Sequence, residues 1–410
     1  MSESPAVSAG FTSRLSDKKL ELGLQLGRVL RAGSLTLELP GGGVHRFHGT
    51  EPGPAAKLVI HDSRTITKTM FGGSLGFSEA YLKGWWDSPN ITDMLLLGAA
   101  NEASWDALIS GKPLMRLISR LIHSLRPNSR SGSKRNIADH YDLGNDFYQL
   151  WLDPTMTYSA ALFEDGSASL EEAQRAKIRR VCKQLRLAPG QRLLEIGCGW
   201  GGFAQIAAAE FGAEVVGITL SREQLAHGQE RIAKAGLGDR VNLQLLDYRD
   251  VQGNFDAIAS VEMIEAVGQD YWPVYFRTLQ ERLKPGGLAC IQAITIADRY
   301  FDEYRKSADF IQRYVFPGGM LLSPSKLRAQ ATSAGLLWRD AHWFGTDYAE
   351  TLKQWQASFQ ASWPNIAKLS TAKGHYDARF KRLWEYYLAY CEAGFRAGWT
   401  DVGQILMARP

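Results

Sequence analysis

An α/β protein built on an open parallel sheet, with a smaller mixed α/β module ahead of it, is the fold class this sequence predicts. Three observations carry that expectation. Short apolar runs of strand character alternate with helical runs between residues 170 and 294. A glycine-rich turn, Gly197-Cys198-Gly199-Trp200-Gly201, directly follows the first of those strand-like runs. The chain's 410 residues can bury a full α/β core and still leave room for a separate module.

In chain order, Leu35 to Leu39 alternates in polarity and runs into Pro40-Gly41-Gly42-Gly43, and Lys57 to Ile60 reads as another strand. Leu22 to Val29 and Ile91 to Leu108 have helical patterning, so residues 1–111 are expected to form a mixed accessory domain. Residues 112–135 form a basic segment. Leu114, Leu117, Ile118, Leu121, Ile122 and Leu125 make a helical stripe beside Lys112, Arg116, Arg120 and Arg126, and a polar, basic stretch follows from Pro127 to Arg135. Burial against the accessory domain and contact with an anionic membrane surface both explain such a stripe. The main domain is expected over 136–410. Its helix Leu170 to Leu185 ends before Pro189-Gly190, and strands follow at Arg192 to Ile196, Glu214 to Thr219, Val241 to Leu246, Phe255 to Ser260 and Leu288 to Ile294.

Composition narrows the function classes without naming one. Lys and Arg total 47 against 43 Asp and Glu, a net charge of +4, too small to identify nucleic acid or membrane as the partner. Cys182, Cys198, Cys290 and Cys391 are widely separated, with neither a disulfide framework nor zinc-like spacing, so no metal is expected and a reduced cytoplasm fits best. Met1 to Thr12 lacks a secretory pattern, and no apolar run is long enough to span a bilayer.

The glycine turn in its strand–turn–helix setting, with Phe203 to Ala209 helical beyond it, lets the backbone approach a bulky nucleotide-like ligand. A dinucleotide site would place an acid at the end of the second strand. Here Glu214 stands at that strand's beginning, and its end reads Thr219-Leu220-Ser221 with Gln224 beyond, which weakens the nicotinamide reading. Thr219 and Gln224 are placed to hydrogen-bond a nucleoside, and Asp247-Tyr248-Arg249 follows the next strand at the carboxyl edge where open-sheet ligands bind. Each of these residues taken alone also fits a helix cap or a surface contact.

Five ordered motifs make the sequence resemble the cyclopropane fatty acid synthase family. They are His140-Tyr141-Asp142-Leu143-Gly144-Asn145, Met156-Thr157-Tyr158-Ser159, Leu194 to Gly202, Gly217-Ile218-Thr219-Leu220-Ser221 with Gln224, and Asp247-Tyr248-Arg249-Asp250. The resemblance covers essentially everything after Asn136, and the N-terminal module resembles the accessory region of the phospholipid-acting members. It implies a class I methyltransferase, Rossmann-like open sheet with a helical cover. It also implies an S-adenosylmethionine pocket lined by Tyr158, Ser159, Gly197, Gly199, Thr219, Gln224, Tyr248 and Arg249, to which position adds Gly201 and Asp247. Unsaturated phospholipid acyl chains are the implied acceptors, and a homodimer through the N-terminal module is a further expectation. In the family a bicarbonate ion commonly acts as base, held through a cysteine segment, a glutamate, a histidine and a tyrosine. The matching glutamate and tyrosine are Glu265 and Tyr348, whereas Ala160 replaces the cysteine and Gln292 the histidine.

That departure bears on the product. An alkene attacking the cofactor's methyl gives a carbocation; proton loss from the transferred methyl closes a cyclopropane, and loss elsewhere leaves a methylated alkene. Neutral Gln292 lacks the charge of a protonated histidine, so altered base placement, and with it a methylated or methylene-containing chain, is expected over a ring. Glu262, three residues before Glu265, has no role in the resemblance. The aromatic stretch Phe301 to Leu322 reads as an apolar cover over the site. Competing readings are a small-molecule C-methyltransferase, a nonenzymatic lipid-binding protein and a DNA methyltransferase; the last lacks any base-reading element, so nucleic acid is not an expected partner. Together these expectations describe a cytoplasmic enzyme that associates peripherally with the membrane.

Overall fold

The computed structural model describes residues 21, 23–105, 143–164, 169–306, 308–371 and 374–410. The basic segment 112–135 and the His140-Tyr141-Asp142 part of the first motif lie outside the described residues. The chain divides into two compact units, one comprising residues 1–126 and 377–393, the other 127–376 and 394–410. A C-terminal helical stretch, residues 377–393, groups with the N-terminal unit.

That first unit carries a four-stranded sheet in the order β2-β1-β3-β4, formed by β1 (Ala32–Glu38), β2 (Val44–His48), β3 (Glu51–Ile60) and β4 (Trp86–Asp87). Helix α1 (Arg64–Leu82) is kinked at Gly73, whose φ of 56° suits glycine, and α2 (Ile91–Ala100) starts at the Asn90 cap. Asn101 ends α2 and ties it to the sheet: its buried amide accepts from the Arg31 and Ala32 N–H groups and donates to the Ala32 and Leu97 carbonyls. Arg382, from the C-terminal stretch, donates to the carbonyls of Tyr81 and Trp86 and lies over the Tyr81 ring, while Glu392 accepts from Thr92 at 2.9 Å.

The second unit holds a seven-stranded sheet in the order β10-β13-β9-β8-β5-β6-β7. Its parallel part is β7 (Val241–Leu245), β6 (Glu214–Thr219), β5 (Arg192–Ile196), β8 (Phe255–Val261) and β9 (Leu283–Ile296), close to the five strands expected. Two further strands make the sheet mixed: β13 (Thr400–Ala408) pairs antiparallel with β9, and β10 (Leu337–Trp343) pairs antiparallel with β13. Residues Ser370–Thr371 (β11) and Gly374–His375 (β12) form a separate two-stranded ribbon. Strand order reverses between β5 and β8, which opens a crevice at their carboxyl ends where open α/β sheets bind ligands.

Helices cover both faces, and two buried clusters form the core. One contains Ile178, Val181 and Cys182 of α3 (Leu170–Gln184) and Phe203, Ala204 and Ala207 of α4 (Gly202–Phe211); the other contains Tyr275, Phe276 and Leu279 of α6 (Trp272–Arg282). Between α4 and α6, α5 (Arg222–Lys234) follows β6 and starts at Ser221, whose side chain accepts from the Gln224 N–H. Phe301, Met320 and Leu322 of the expected apolar cover are buried in the second cluster, so much of that cover is core. None of the described helices is long and apolar enough to cross a membrane.

Candidate active site

Three glycines shape the cofactor turn. Gly197, Gly199 and Gly201 adopt φ values of 85°, 50° and 81°, a region L side chains rarely enter. A Cβ on Gly197 would also stand 3.0 Å from Met263, whereas nothing lies within 4 Å of one on Gly199. The turn leaves one face of the backbone bare toward a cavity lined by Tyr158, Ser159, Thr219, Gln224, Tyr248 and Glu195, among others. Inside it, Thr219 and Gln224 face each other at 2.9 Å. Glu195 is fully buried with Oε2 accepting no hydrogen bond, and desolvation pushes its carboxyl up to about 8. A bare glycine face, a nucleoside-sized polar pair and an unsatisfied acid together fit S-adenosylmethionine, which carries a nucleoside at one end and an ammonium group at the other.

Three expected cofactor residues lie outside this lining. Gly201 caps α4 and packs close to Gly228 and Leu243, so its role is to let α4 pass close to α5. Asp247 accepts from the backbone N–H and the guanidinium of Arg249, and the two side chains hold each other in the turn after β7.

The same cavity reaches Glu262, where the expected base-site residues meet. The Ala160 N–H donates to Glu262 Oε1 at 2.8 Å, Gln292 Nε2 donates to the same oxygen at 2.8 Å, and Tyr348 Oη donates to Oε2 at 2.7 Å. Each donor is placed by its element. Gln292 lies in β9 opposite Val261 of β8 and Gln404 of β13, and Gln404 Nε2 donates to Gln292 Oε1 at 3.1 Å, which turns the Gln292 NH₂ toward Glu262. Tyr348 projects from α7 (Gly345–Ile366). Asp347 and Thr351 of that helix accept from the Phe163 and Ala161 N–H groups, fixing the loop that presents Ala160.

Glu262 itself has φ 49°, a conformation uncommon for a residue with a side chain, and its N–H donates to the Gln292 carbonyl at 2.8 Å. Burial raises its carboxyl, while Lys177, Tyr348, Ala160 and Gln292 pull the other way. Lys177 is buried on α3 with Nζ donating to Ser159 Oγ at 2.6 Å; desolvation lowers it to about 8 against the nearby charges of Glu262 and Asp153. Glu265 stands apart from the three donors. Its Oε1 accepts from the Ile294 N–H at 2.6 Å, its Oε2 is buried without a partner, and burial plus the Glu262 charge push it up to about 8. Burial and the neighbouring Glu262 favour the protonated form of Glu265, whereas at Glu262 burial raises the carboxyl and the three donors and Lys177 oppose it by favouring the charged form.

Sequence reasoning assembled Ala160, Gln292 and Tyr348 but centred them on Glu265. It missed Lys177, although a lysine on the apolar face with Ala173, Ile178 and Val181 was a readable anomaly. No cluster of His, Cys, Asp and Glu suited to a metal occurs among the described residues.

Residues 128–405 match the mycolic acid cyclopropane synthetase family. The chain is 41% identical over 377 residues to the tuberculostearic acid methyltransferase UfaA1 of Mycobacterium tuberculosis, covering 87% of this chain and 84% of the relative. It is 37% identical over 367 residues to the cyclopropane-fatty-acyl-phospholipid synthase of Escherichia coli, covering 88% and 90%. The crystal structure of the mycolic acid cyclopropane synthase CmaA1 with SAH and CTAB aligns with a TM-score of 0.62 at 31% identity, over 70% of this chain and 99% of that one. By its glycine turn, by its fold and by these matches, the chain belongs to the mycolic acid cyclopropane synthetase family and is an S-adenosylmethionine-dependent methyltransferase.

Proposed function

We propose that the protein methylates a double bond in a phospholipid acyl chain and releases a methylated or methylene-containing unsaturated chain. The observation that carries this reading is that the cavity beneath the glycine turn reaches the buried carboxyl of Glu262, whose two oxygens accept from the Ala160 N–H and the Tyr348 hydroxyl. When bound, S-adenosylmethionine supplies an electrophilic methyl group. The chain's own residues then have three tasks. Gly197, Gly199, Thr219 and Gln224 hold the nucleoside end; the rings of Tyr158 and Trp355, 5.3 Å apart, with Tyr348 6.1 Å from Trp355, stabilise positive charge on the acyl carbon. The apolar side chains of Val261, Met263 and Ala266, which line the cavity beside Glu262, keep water from that carbon.

The product follows from where the proton leaves. Ala160 and Gln292 stand where the family pattern has a thiol and an imidazole, and this different donor set favours proton loss from the acyl chain, or a 1,2-hydride shift followed by proton loss from the transferred methyl to leave an exocyclic methylene, over ring closure. UfaA1, named for methyl transfer, supports that branch; the cyclopropane-forming alternative shares every step up to the cation and is supported by the Escherichia coli relative. The basic segment 112–135 is proposed to bring the enzyme reversibly to anionic phospholipid surfaces from the cytoplasm, because it pairs an apolar helical stripe with positive side chains. Incubation with methyl-labelled S-adenosylmethionine, unsaturated phospholipid vesicles and soluble alkenes tests the acceptor class. Label in the acyl chains is expected; label in soluble acceptors alone would overturn the proposal.

A further inference from the structure

The site does not fit the bicarbonate ion that the family resemblance implies, because the protein has put a carboxylate of its own where that ion's donors converge. We infer that Glu262 is the proton acceptor of the reaction and that the enzyme works without bicarbonate. The inference rests on the proposed methylation of an alkene and names the group that completes it.

The geometry argues this in three steps. First, a planar oxyanion needs donors around both oxygens, and the positions expected to hold bicarbonate supply them: Ala160 N–H and Gln292 Nε2 to one oxygen, Tyr348 Oη to the other, all at 2.7 to 2.8 Å. All three are engaged by Glu262. A carboxylate and a bicarbonate share the same O–C–O plane, so one substitutes for the other in that cradle, and a second anion beside Glu262 would be repelled at close range. Second, Glu262 reaches the cradle only by adopting φ 49°, held by its N–H to Gln292 and by the side-chain bonds themselves; strain of this kind persists where surrounding structure enforces it. Third, Glu262 and Ser159 line the cavity that also holds the glycine turn, and the buried cation of Lys177 is bonded to Ser159. The acceptor is therefore next to the reacting groups and electrostatically supported as an anion.

The chemistry balances with these residues alone. The alkene's π pair forms the new carbon–carbon bond to the methyl as the methyl–sulfur bond breaks, and that bond's electron pair stays on sulfur. One C–H bond next to the resulting cation then gives its electrons to a new carbon–carbon bond, and its proton goes to Glu262. Oε2 is the receiving oxygen, since Oε1 already accepts two hydrogen bonds and Oε2 one. Glu265 shares none of these donors, and burial beside Glu262 favours its protonated form, which cannot take the proton.

The test pairs turnover with a readout that needs none. Glu262→Gly suits the backbone, because glycine takes φ 49° without strain, and it empties the cradle; Glu262→Gln keeps the shape and removes the base. With S-adenosylhomocysteine present, ¹³C-bicarbonate observed by NMR is expected to bind E262G and not the wild type. In carbonate-free buffer the wild type is expected to methylate unsaturated phospholipid at full rate. E262Q should fall at least about 100-fold and E262G should regain rate on adding bicarbonate or formate. Calorimetric binding of S-adenosylhomocysteine to each variant reports the intact fold. Equal bicarbonate binding by wild type and E262G, a wild type that needs bicarbonate, or an E262Q variant at wild-type rate would each overturn the inference. A wild type that transfers no label to any alkene would instead overturn the proposed function, with the bicarbonate-binding arm still deciding the role of the cradle.

Discussion

Tyr348→Phe removes a single oxygen from the base site and leaves its packing in place. The Tyr348 hydroxyl is buried and donates to Glu262 Oε2 at 2.7 Å, while the ring lies tilted 4.5 Å from Phe395 and edge-on 6.1 Å from Trp355, contacts phenylalanine keeps. The bond fixes Oε2 where it meets the departing proton, and misplacing a reacting group by about 1 Å costs on the order of 100-fold. Its loss should lower the single-turnover rate by roughly 10- to 100-fold, with the higher basicity of the released oxygen offsetting part of the effect. Cofactor affinity should stay within about twofold, since the hydroxyl lies away from Thr219 and Gln224. The pH dependence gives a second signature. Glu262 acts as the anion, so the rate falls as pH drops through its pKa; Lys177, Glu265 and Tyr348 are the ionisable groups around it. Removing a donor to the charged form raises that pKa, and the acid limb of the rate profile should move to higher pH. Single-turnover transfer from labelled cofactor to unsaturated phospholipid, measured across pH, reads both. An unchanged rate with an unmoved acid limb would refute the assignment of Tyr348 as a donor to the working base.

Glu265→Gln should flatten the pH dependence of stability. The wild-type carboxyl sits at about 8 against an ordinary 4.5, so the fold favours its protonated form; stability is fullest below the ordinary value and declines by up to about 1.4 kcal/mol per pH unit as pH rises toward about 8. Denaturant midpoints that shift equally with pH in both proteins would count against this. Gln224→Ala should weaken cofactor binding by about tenfold, the worth of one or two hydrogen bonds, without changing the product distribution; calorimetry and product analysis check the two halves. Replacing Arg116, Arg120, Arg126 and Arg130 with Gln should reduce association with anionic vesicles at low salt while cofactor affinity holds; unchanged association would assign the stripe to burial.

The sheet's parallel strands were legible because their apolar runs are short, β-branched and bounded by turns. Arg192–Ile196 and Glu214–Thr219 appear as expected. β9 was read too short, because Pro285-Gly286-Gly287 looks like a turn yet continues the strand, and the β8–β9 register slips between Phe255 and Ala257 to accommodate it. β13 was missed altogether: Gly403 and Gln404 interrupt its apolar run, and only the facing strand explains them, since Gly403 leaves room for Trp343 and Gln404 orients Gln292. In the site, Ala160, Gln292 and Tyr348 were readable from motif position. Their focus was not, because spacing treats Glu262 and Glu265 as one helix face. A left-handed backbone at Glu262 sends the two carboxyls to different partners.

The central claim, methyl transfer to an acyl double bond with proton loss that leaves an alkene, is tested most directly by the carbon skeleton of the product. The enzyme is incubated with ¹³C-methyl S-adenosylmethionine and vesicles of a defined monoenoic phospholipid, and the released acyl chains are analysed by NMR and mass spectrometry. A labelled carbon attached as methyl or methylene to a retained or shifted double bond is the predicted result. Label found only in the upfield methylene of a cyclopropane ring would contradict it.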